Sequence, residues 1–353
     1  MKHVARKLIE GLPKTDLHCH FDGSIRVGTL IDLARRNKVA LFSEEPSVLM
    51  EHMKYGRVRH SLEEYLAGFH PLVAVLQHED DIEQAFFEVC EDAASENVWH
   101  LELRYCPYLH TKKGLTEEEV VKACIRASTR AEQQLNISVK HILCGLKHDA
   151  PEHVLAVAKL AAAYYDQGVV GFDLAGPETG YPIKTHQQAI LVAKTSHLFI
   201  TLHAGESCGP ESIFEALHEG YANRVGHGTS LIRDQQLLNY VVNHRIGVEA
   251  CPLSNWHTGA VNSLEQHPLK SFLEQGVRVS INTDNRLCSD TTITEEIMAV
   301  IENLDLTMDD IKQLLINGFK SAFLPYNQRQ TFLTNFQHTW TSLCPDDQNP
   351  PMT

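Results

Sequence analysis

Short β-rich segments alternate with longer segments of helical period along most of this chain, and this alternation restricts the fold more than any other feature. Eight β-rich segments occur, at residues 15–20, 98–105, 138–144, 169–175, 198–203, 224–227, 246–251 and 277–284. Residues 115–135, 152–165 and 264–274 carry apolar side chains at the spacing of amphipathic helices. Strands that alternate with helices pair in parallel, so the pattern predicts an α/β fold, a closed (β/α)8 or TIM barrel. An open doubly wound sheet is the alternative, although no Gly-rich phosphate loop follows the first strand.

The alternation is interrupted once, between the first and second predicted strands. Residues 24–97 are rich in helix formers and too numerous for one crossover helix, so we expect extra helices here, forming a helical lid over the barrel mouth. A single domain is expected over residues 1–340. Residues 341–353, which end in PDDQNPPMT, are expected to form a disordered tail.

Composition excludes several classes of partner. The 31 Lys+Arg against 45 Asp+Glu give a net charge of −14, which disfavours nucleic acid as the partner. No apolar run approaches the roughly 20 residues that span a bilayer, and the N-terminus lacks the apolar core of a secretory signal. Nine cysteines without CxxC pairs favour reduced thiols. We therefore expect a cytoplasmic protein with a small-molecule partner, no nucleic acid and no membrane; no sequence signal specifies an oligomeric state.

Polar residues collect where the predicted strands end, and barrel chemistry occurs at the carboxyl ends of strands. These residues are His18, His20 and Asp22 for the first strand, Asp173 and Gly176 for the fourth, His203 and Glu206 for the fifth, His227 for the sixth, Ser254 for the seventh, and Asp284 and Asn285 for the eighth. With 21 histidines in the chain an HxH pair is expected by chance, so the information lies in this shared position. Three imidazoles and a carboxylate (His18, His20, His203, Asp284) suit Zn²⁺, with water completing the site.

Five segments, TDLHCHFDGSI, LHAGE, RVGHGTSL, CPLSN and SINTD, resemble in order and spacing the signature segments of adenosine deaminases, in the adenosine/AMP deaminase branch of the amidohydrolase superfamily. The resemblance extends from about residue 12 to residue 324. It implies a single-zinc (β/α)8 hydrolase that replaces the 6-amino group of adenosine by oxygen. The segment GFDLAGPE has no lysine that could bridge two metals, as in binuclear relatives, which favours one zinc per chain. For Asp173 in this segment, we expect a structural hydrogen-bond acceptor rather than a direct catalytic role.

The resemblance also implies roles for single residues. His18, His20, His203 and Asp284 would bind the metal. Glu206 would protonate the purine ring nitrogen, which requires that burial raise its pKa. His227 and Asp284 would orient the attacking water and help remove its proton. The substrate contacts would come from His20, Asp22 with a ribose hydroxyl, the Gly176 backbone with the purine, and Asn285 with the imidazole part of the purine.

Four features temper or extend the resemblance. Asn285 stands where many adenosine deaminases have a second aspartate, but its amide can still donate to a purine nitrogen. Cys106 stands where serine is frequent, which indicates either a weaker polar contact or a buried small residue. The segment RLCSDTTITEE after Asn285 differs from the commonest version, so the reaction type is better specified than the substrate. The apolar face of Leu62, Tyr65, Leu66 and Phe69 predicts either core packing or an apolar lid over the nucleoside.

The leading functional hypothesis is zinc-dependent hydrolytic deamination of adenosine and 2′-deoxyadenosine to inosine and 2′-deoxyinosine plus ammonia, in purine salvage or catabolism. A deaminase of adenine or of another 6-substituted purine is the alternative on the same scaffold. AMP is disfavoured because no Lys/Arg cluster lies near the motifs, although Lys112 and Lys113 leave it open. A non-catalytic nucleoside-binding relative is disfavoured because all four metal positions and Glu206 are retained.

Overall fold

The computed structural model describes residues 6–54 and 68–344, and in this part of the chain eight parallel strands form one sheet in sequential order. The strands are β1 (Lys14–His20), β2 (Val98–Tyr105), β3 (Ser138–Leu146), β4 (Val169–Ala175), β5 (Phe199–Ala204), β6 (Arg224–His227), β7 (Gly247–Ala250) and β8 (Arg278–Ile281). The segment after β8 returns to β1, where the His20 N–H donates to the Asp284 carbonyl at 2.6 Å and the Asp284 N–H donates to the His18 carbonyl at 2.7 Å. These bonds close the sheet, and the predicted (β/α)8 barrel is confirmed.

Helices surround the barrel, and four of the described ones lie between β1 and β2, as predicted. These four are α2 (Val27–Asn37), α3 (Pro46–Lys54), α4 (His70–Val75) and α5 (Glu79–Ser95), and α1 (Arg6–Gly11) precedes β1. The others are α6 (Glu117–Gln134), α7 (Pro151–Ala163), α8 (Gln187–Thr195), α9 (Pro210–His218), α10 (Gln235–Asn243), α11 (Pro252–His257), α12 (Leu269–Glu274), α13 (Ile293–Leu304), α14 (Met308–Ser321) and α15 (Tyr326–Leu343). Among the described residues, none of the helices combines the length and apolar character needed to cross a membrane.

Local sequence explains where these helices begin and end. Helix α6 starts at a capping box, in which the Thr116 hydroxyl accepts from the Glu119 N–H and the Glu119 carboxylate accepts from the Thr116 N–H. The predicted helix over residues 264–274 is wrong as one element: a 3₁₀ turn (Leu264–Gln266) is separated from α12 by an extended His267. Pro268 causes this break, because the residue before proline is pushed out of the helical region. Helix α15 reaches Leu343, three residues into the predicted tail, whose residues 345–353 lie outside the described chain.

Charged side chains occupy the barrel interior. Glu102 and Arg104 on β2 alternate with apolar residues and are fully buried, as are Glu249 on β7 and Asp173 on β4. The Arg104 guanidinium donates at 2.8 Å to both Asp173 and Glu249. The Arg224 guanidinium donates at 2.5 Å to Glu249 and Glu102. Buried charges of opposite sign are therefore joined directly beneath the carboxyl ends of the strands.

Candidate active site

Three histidines and one aspartate converge at the carboxyl end of the barrel. One ligand atom from each of His18, His20, His203 and Asp284 lies within 4.8 Å of the others. The Asp284 Oδ1 atom is 3.4 Å from Nε2 of both His18 and His20, and Nε2 of His20 is 3.2 Å from Nε2 of His203. The Nε2 atom of His18 is buried and makes no hydrogen bond. This donor set, with one orphaned ring nitrogen, fits a divalent metal ion such as Zn²⁺.

The opposite side of three of these four side chains is held by the protein. The His18 Nδ1 atom is 2.8 Å from Glu249, and the His203 Nδ1 atom is 3.1 Å from Asp173. These carboxylates make Nδ1 the protonated nitrogen and leave Nε2 free to face the cluster. The Ser254 hydroxyl donates to Asp284 Oδ2 at 2.6 Å, which leaves Oδ1 directed at the imidazoles. Asp173 therefore orients a metal ligand, consistent with the structural role expected for it.

Electrostatics favour the metal-binding forms. Burial, assisted by the positive charge of Arg104, lowers the pKa of His18 to about 4, so the imidazole is neutral. Burial alone would raise the pKa of Asp284, but the surrounding histidines lower it well below its usual value. Asp284 also has a left-handed backbone, with φ of +59°, a conformation that non-glycine residues rarely adopt. His18 and Asp284 are thus held in the protonation states that bind a cation.

Glu206 lies beside this cluster on the loop after β5. Burial raises its pKa, an effect that His227 opposes and that the nearby Asp284 and Glu178 reinforce. The Thr258 hydroxyl donates to its Oε1 atom at 2.9 Å, and Oε2 is 3.6 Å from Nε2 of His227. Glu178 accepts from the backbone N–H groups of Gly205 and Glu206 at 3.1 and 3.0 Å, which fixes the loop. The site therefore holds a carboxyl group whose burial favours its protonated form.

A cavity of about 450 Å³ opens over the cluster, and every substrate contact expected from the sequence lines it. These residues are His20, Asp22, Gly176 and Asn285, and the cavity wall also contains Phe69, His70, Val73, Leu109, Lys112, Leu146, His148, Ala175, His203, Glu206, His227 and Asp284. Of the four predicted lid residues, Phe69 lines the cavity, whereas Leu62, Tyr65 and Leu66 lie outside the described residues.

Two details of the cavity concern the expected substrate contacts. Burial raises the pKa of Asp22 to about 6, and its carboxylate accepts the Gly23 N–H at 3.2 Å. A Cβ at Gly23 would lie 1.9 Å from Oδ1 of Asn285, so only glycine lets the two segments approach. Cys106 is buried, at 4% exposure, as the simpler of its two interpretations predicts.

Three contributors were missed in the sequence: Glu178, Asn255 and Thr258. Each belongs to a loop or short helix that follows a strand, and its function depends on a neighbour distant in the chain. Glu178 in GPE stands three residues after the end of β4, and Asn255 and Thr258 follow β7 in or next to α11. The available signal was their position at the carboxyl ends of strands, where barrel chemistry occurs.

Known proteins share both the sequence pattern and the fold. The profile of the adenosine deaminase family matches residues 13–339. An adenosine deaminase from Clostridium kluyveri is 36% identical over 317 residues, covering 90% of this chain and 91% of that protein. An adenine deaminase from Arthrobacter aurescens superposes with a TM-score of 0.87 at 25% identity, covering 94% of this chain and 99% of that one. An N6-methyl-AMP deaminase from Arabidopsis thaliana gives a TM-score of 0.82 at 27% identity, covering 97% and 99%.

The closed parallel barrel, with a histidine–aspartate cluster at the carboxyl ends of its strands, defines a hydrolase of the amidohydrolase superfamily. Within that superfamily the chain belongs to the adenosine deaminase family, since the family match covers nearly all of it and relatives exceed 30% identity.

Proposed function

We propose that the protein catalyses zinc-dependent hydrolytic deamination of adenosine and 2′-deoxyadenosine to inosine and 2′-deoxyinosine plus ammonia. The observation that carries the proposal is the placement of a four-residue metal cluster and the buried Glu206 on one cavity. A single Zn²⁺, held by His18, His20, His203 and Asp284, would lower the pKa of water to about 7 and so provide a nucleophile at neutral pH. The remaining steps are carried out by side chains of the protein.

Glu206 supplies the proton that the purine needs. As the oxygen of water bonds to the carbon that carries the amino group, the electron pair of the ring C=N bond moves to the ring nitrogen, which takes the proton of Glu206. One proton of the water passes to Asp284 and onward to the amino group, which leaves as ammonia with the electron pair of its bond to carbon. The second proton of the former water passes to the ionised Glu206 as the oxygen becomes the carbonyl of the product, which restores the acid. The raised pKa of Glu206 supports this role, because burial favours the protonated form that can donate.

Nucleoside binding is assigned to residues above the metal cluster. Asp22 accepts a ribose hydroxyl, the Gly176 backbone contacts the purine, and the Asn285 amide donates to the imidazole part of the base. In support, all three line the cavity. Phe69, together with Leu62, Tyr65 and Leu66, is proposed to cover the nucleoside and exclude water.

Two other substrates have a specific observation in their favour. The Arthrobacter relative is an adenine deaminase, and the Arabidopsis relative acts on a 5′-monophosphate. Lys112, His70 and His148 line the same cavity and offer groups that a phosphate could approach. The proposal favours the free nucleoside because the more similar curated relatives carry the name adenosine deaminase.

The test is an ammonia-release assay of zinc-loaded protein with adenosine, 2′-deoxyadenosine, adenine, AMP and N6-methyl-AMP. The highest kcat/KM is expected for the two nucleosides. Asp22→Asn should lower kcat/KM for adenosine while leaving the low rate with adenine unchanged, because only the nucleoside carries the ribose. A higher kcat/KM for adenine or a monophosphate would contradict the substrate assignment, and no ammonia from any purine would contradict the reaction.

A further inference from the structure

A chain of hydrogen bonds runs from the backbone of α12 to His227 through two buried side chains that no part of the proposed reaction uses. We propose that His267 and Asn255 hold His227 in the tautomer with its proton on Nε2, and that they are thereby positioning residues for the reaction at this site. The inference about the tautomer does not depend on the proposed function. Its consequence for catalysis rests on the proposed function.

The distances define three successive bonds. The Leu269 N–H donates to Nδ1 of His267 at 3.1 Å. The Nε2 atom of His267 is 3.1 Å from Oδ1 of Asn255. The Asn255 side-chain nitrogen is 2.9 Å from Nδ1 of His227. Asn255 is fully buried and His267 is 4% exposed, so water does not compete for these bonds.

The direction of every hydrogen bond in this series follows from the backbone N–H of Leu269, at which the series begins. A backbone N–H can only donate, so Nδ1 of His267 must accept and carries no proton. Burial lowers the pKa of His267 to about 3, so the ring is neutral and its one proton is on Nε2. That N–H requires an acceptor, which orients the Asn255 amide with its oxygen toward His267 and its NH₂ toward His227. Nδ1 of His227 therefore accepts, and the proton of a neutral His227 is on Nε2.

The interrupted helix before β8 makes this chain possible. Had residues 264–274 formed one helix, the Leu269 N–H would have been directed to a carbonyl four residues earlier. Pro268 instead leaves His267 extended, with φ of −65° and ψ of 131°, and frees the Leu269 N–H for the ring. The interruption of the helix at Pro268 therefore leaves the Leu269 N–H free to donate the first hydrogen bond of the series.

The consequence is that His227 and Asp284 have different functions at the cavity. With Nδ1 occupied by Asn255, the neutral form of His227 presents only an N–H to the site, with Nε2 3.6 Å from Glu206. Such a group can hold the oxygen of the attacking water by donating to it, but it cannot take the proton of that water. Removal of the proton falls to Asp284, so the two functions that the family resemblance assigns to His227 and Asp284 jointly are separated.

The first experiment is ¹⁵N NMR of zinc-loaded protein labelled at histidine, with the His227 signals assigned by their loss in His227→Gln. The expected spectrum at pH 7.5 shows a protonated Nε2 and an unprotonated Nδ1 for His227. A protonated Nδ1, or comparable populations of both tautomers, overturns the inference. Turnover plays no part in this readout, so an inactive protein with the Nε2 tautomer would contradict the proposed function alone.

The second experiment reverses the direction of the hydrogen bond between residue 255 and His227. It does so with a side chain of the same shape as asparagine. In Asn255→Asp both carboxylate oxygens accept, so the proton of His227 should move to Nδ1. We expect kcat for adenosine to fall by roughly 10²-fold, with KM within about threefold and one zinc per chain. Asn262→Asp adds the same charge at an exposed position of the same segment and should match the unmodified protein. An unchanged kcat in Asn255→Asp overturns the positioning role.

A pair of variants at His267 keeps the test decisive if Asn255→Asp does not fold. In His267→Gln the amide can accept from the Leu269 N–H and donate to Asn255, so the Nε2 tautomer and most of the turnover should be retained. In His267→Leu neither bond exists, the amide of Asn255 is free to turn, and both tautomers should appear with a lower kcat. Equal spectra and equal kcat values for the two variants would overturn the inference.

Discussion

The barrel interior buries charged side chains at two levels, and they differ in how those charges are paired. At the lower level, burial alone would raise the pKa of Glu249, but Arg224 and Arg104 lower it well below its usual value. At the level of the cavity, burial raises the pKa of Glu206 and of Asp22, and no guanidinium contacts either carboxyl group in the described structure. Buried carboxyl groups thus show opposite pKa shifts, and for Glu249 the two neighbouring guanidinium groups outweigh the effect of burial.

The two levels therefore differ in function: the lower level supports the metal ligands, and the upper level contains the groups of the proposed reaction. The lower carboxylates Glu249 and Asp173 are ionised and hold the rings of His18 and His203 in one orientation. The upper groups keep unpaired atoms, such as Nε2 of His18, that only a metal ion or a substrate can satisfy. Variants at the upper level should therefore change metal content or turnover, whereas variants at the lower level should change stability first.

The largest effect is expected from His20→Ala at the upper level. Removing one of four ligands should release the metal, because zinc sites with three histidines and a carboxylate depend on each donor. Elemental analysis should fall from one zinc per chain to nearly none, and ammonia release should fall to the uncatalysed rate. His153→Ala, at a histidine with 62% side-chain exposure, is the control and should keep both. One full zinc in His20→Ala would disprove the proposed ligand set.

Glu206→Gln tests the proton donor and should have the next largest effect. The amide keeps the shape and can still accept from Thr258, but it has no acidic proton to give. We expect one zinc per chain and a kcat lower by about 10²- to 10⁴-fold. Glu211→Gln, an exposed glutamate nearby, should leave kcat unchanged. Wild-type turnover in Glu206→Gln would remove this residue from its assigned role.

Arg224→Met tests the lower level. It leaves Glu249 and Glu102 without their shared guanidinium, and breaking a buried ion pair from one side costs about 3–5 kcal/mol of the free energy of unfolding. Urea unfolding monitored by circular dichroism measures this loss. The protein that remains folded should still bind one zinc, because Arg104 also holds Glu249. A loss below about 1 kcal/mol would show that this network contributes little to stability.

The smallest effect concerns pH and a buried histidine in the barrel wall. Burial, with Lys140, lowers the pKa of His141 to about 3, so between pH 6.5 and that value the unfolded chain binds a proton that the folded chain does not. Stability is then complete above pH 6.5 and is lost as the pH falls, by about 2 kcal/mol at pH 5. His141→Gln should reduce the loss between pH 7 and pH 5 by that amount in urea unfolding. An unchanged pH dependence would contradict a neutral, buried His141.

Much of the fold could be predicted because β-rich runs and helical period are local signals. The metal ligands could also be placed, since His18, His20 and His203 end strands and the ends of parallel strands meet in a barrel. The alternation of His100, Glu102 and Arg104 with apolar residues on β2 was a usable signal for a polar interior that went unused. Asn255 and Thr258 could not be assigned in this way, because their partners are set by how a short helix packs after β7.

The predicted helix over residues 264–274 failed for a reason that is itself informative. Its apolar spacing was helical, but Pro268 imposes an extended residue before it, and this local restriction outweighed the periodic signal. His267 consequently faces Asn255 rather than solvent. A proline inside an apolar helical pattern was the sign that the helix is interrupted here.

The most direct measurement is anomalous X-ray diffraction at the zinc absorption edge from crystals of the purified protein. The predicted result is one strong peak about 2.0–2.2 Å from Nε2 of His18, His20 and His203 and from a carboxylate oxygen of Asp284. A peak bound by other residues, two peaks of equal height at the barrel mouth, or no peak in crystals soaked with Zn²⁺ would contradict a single metal held by these four side chains.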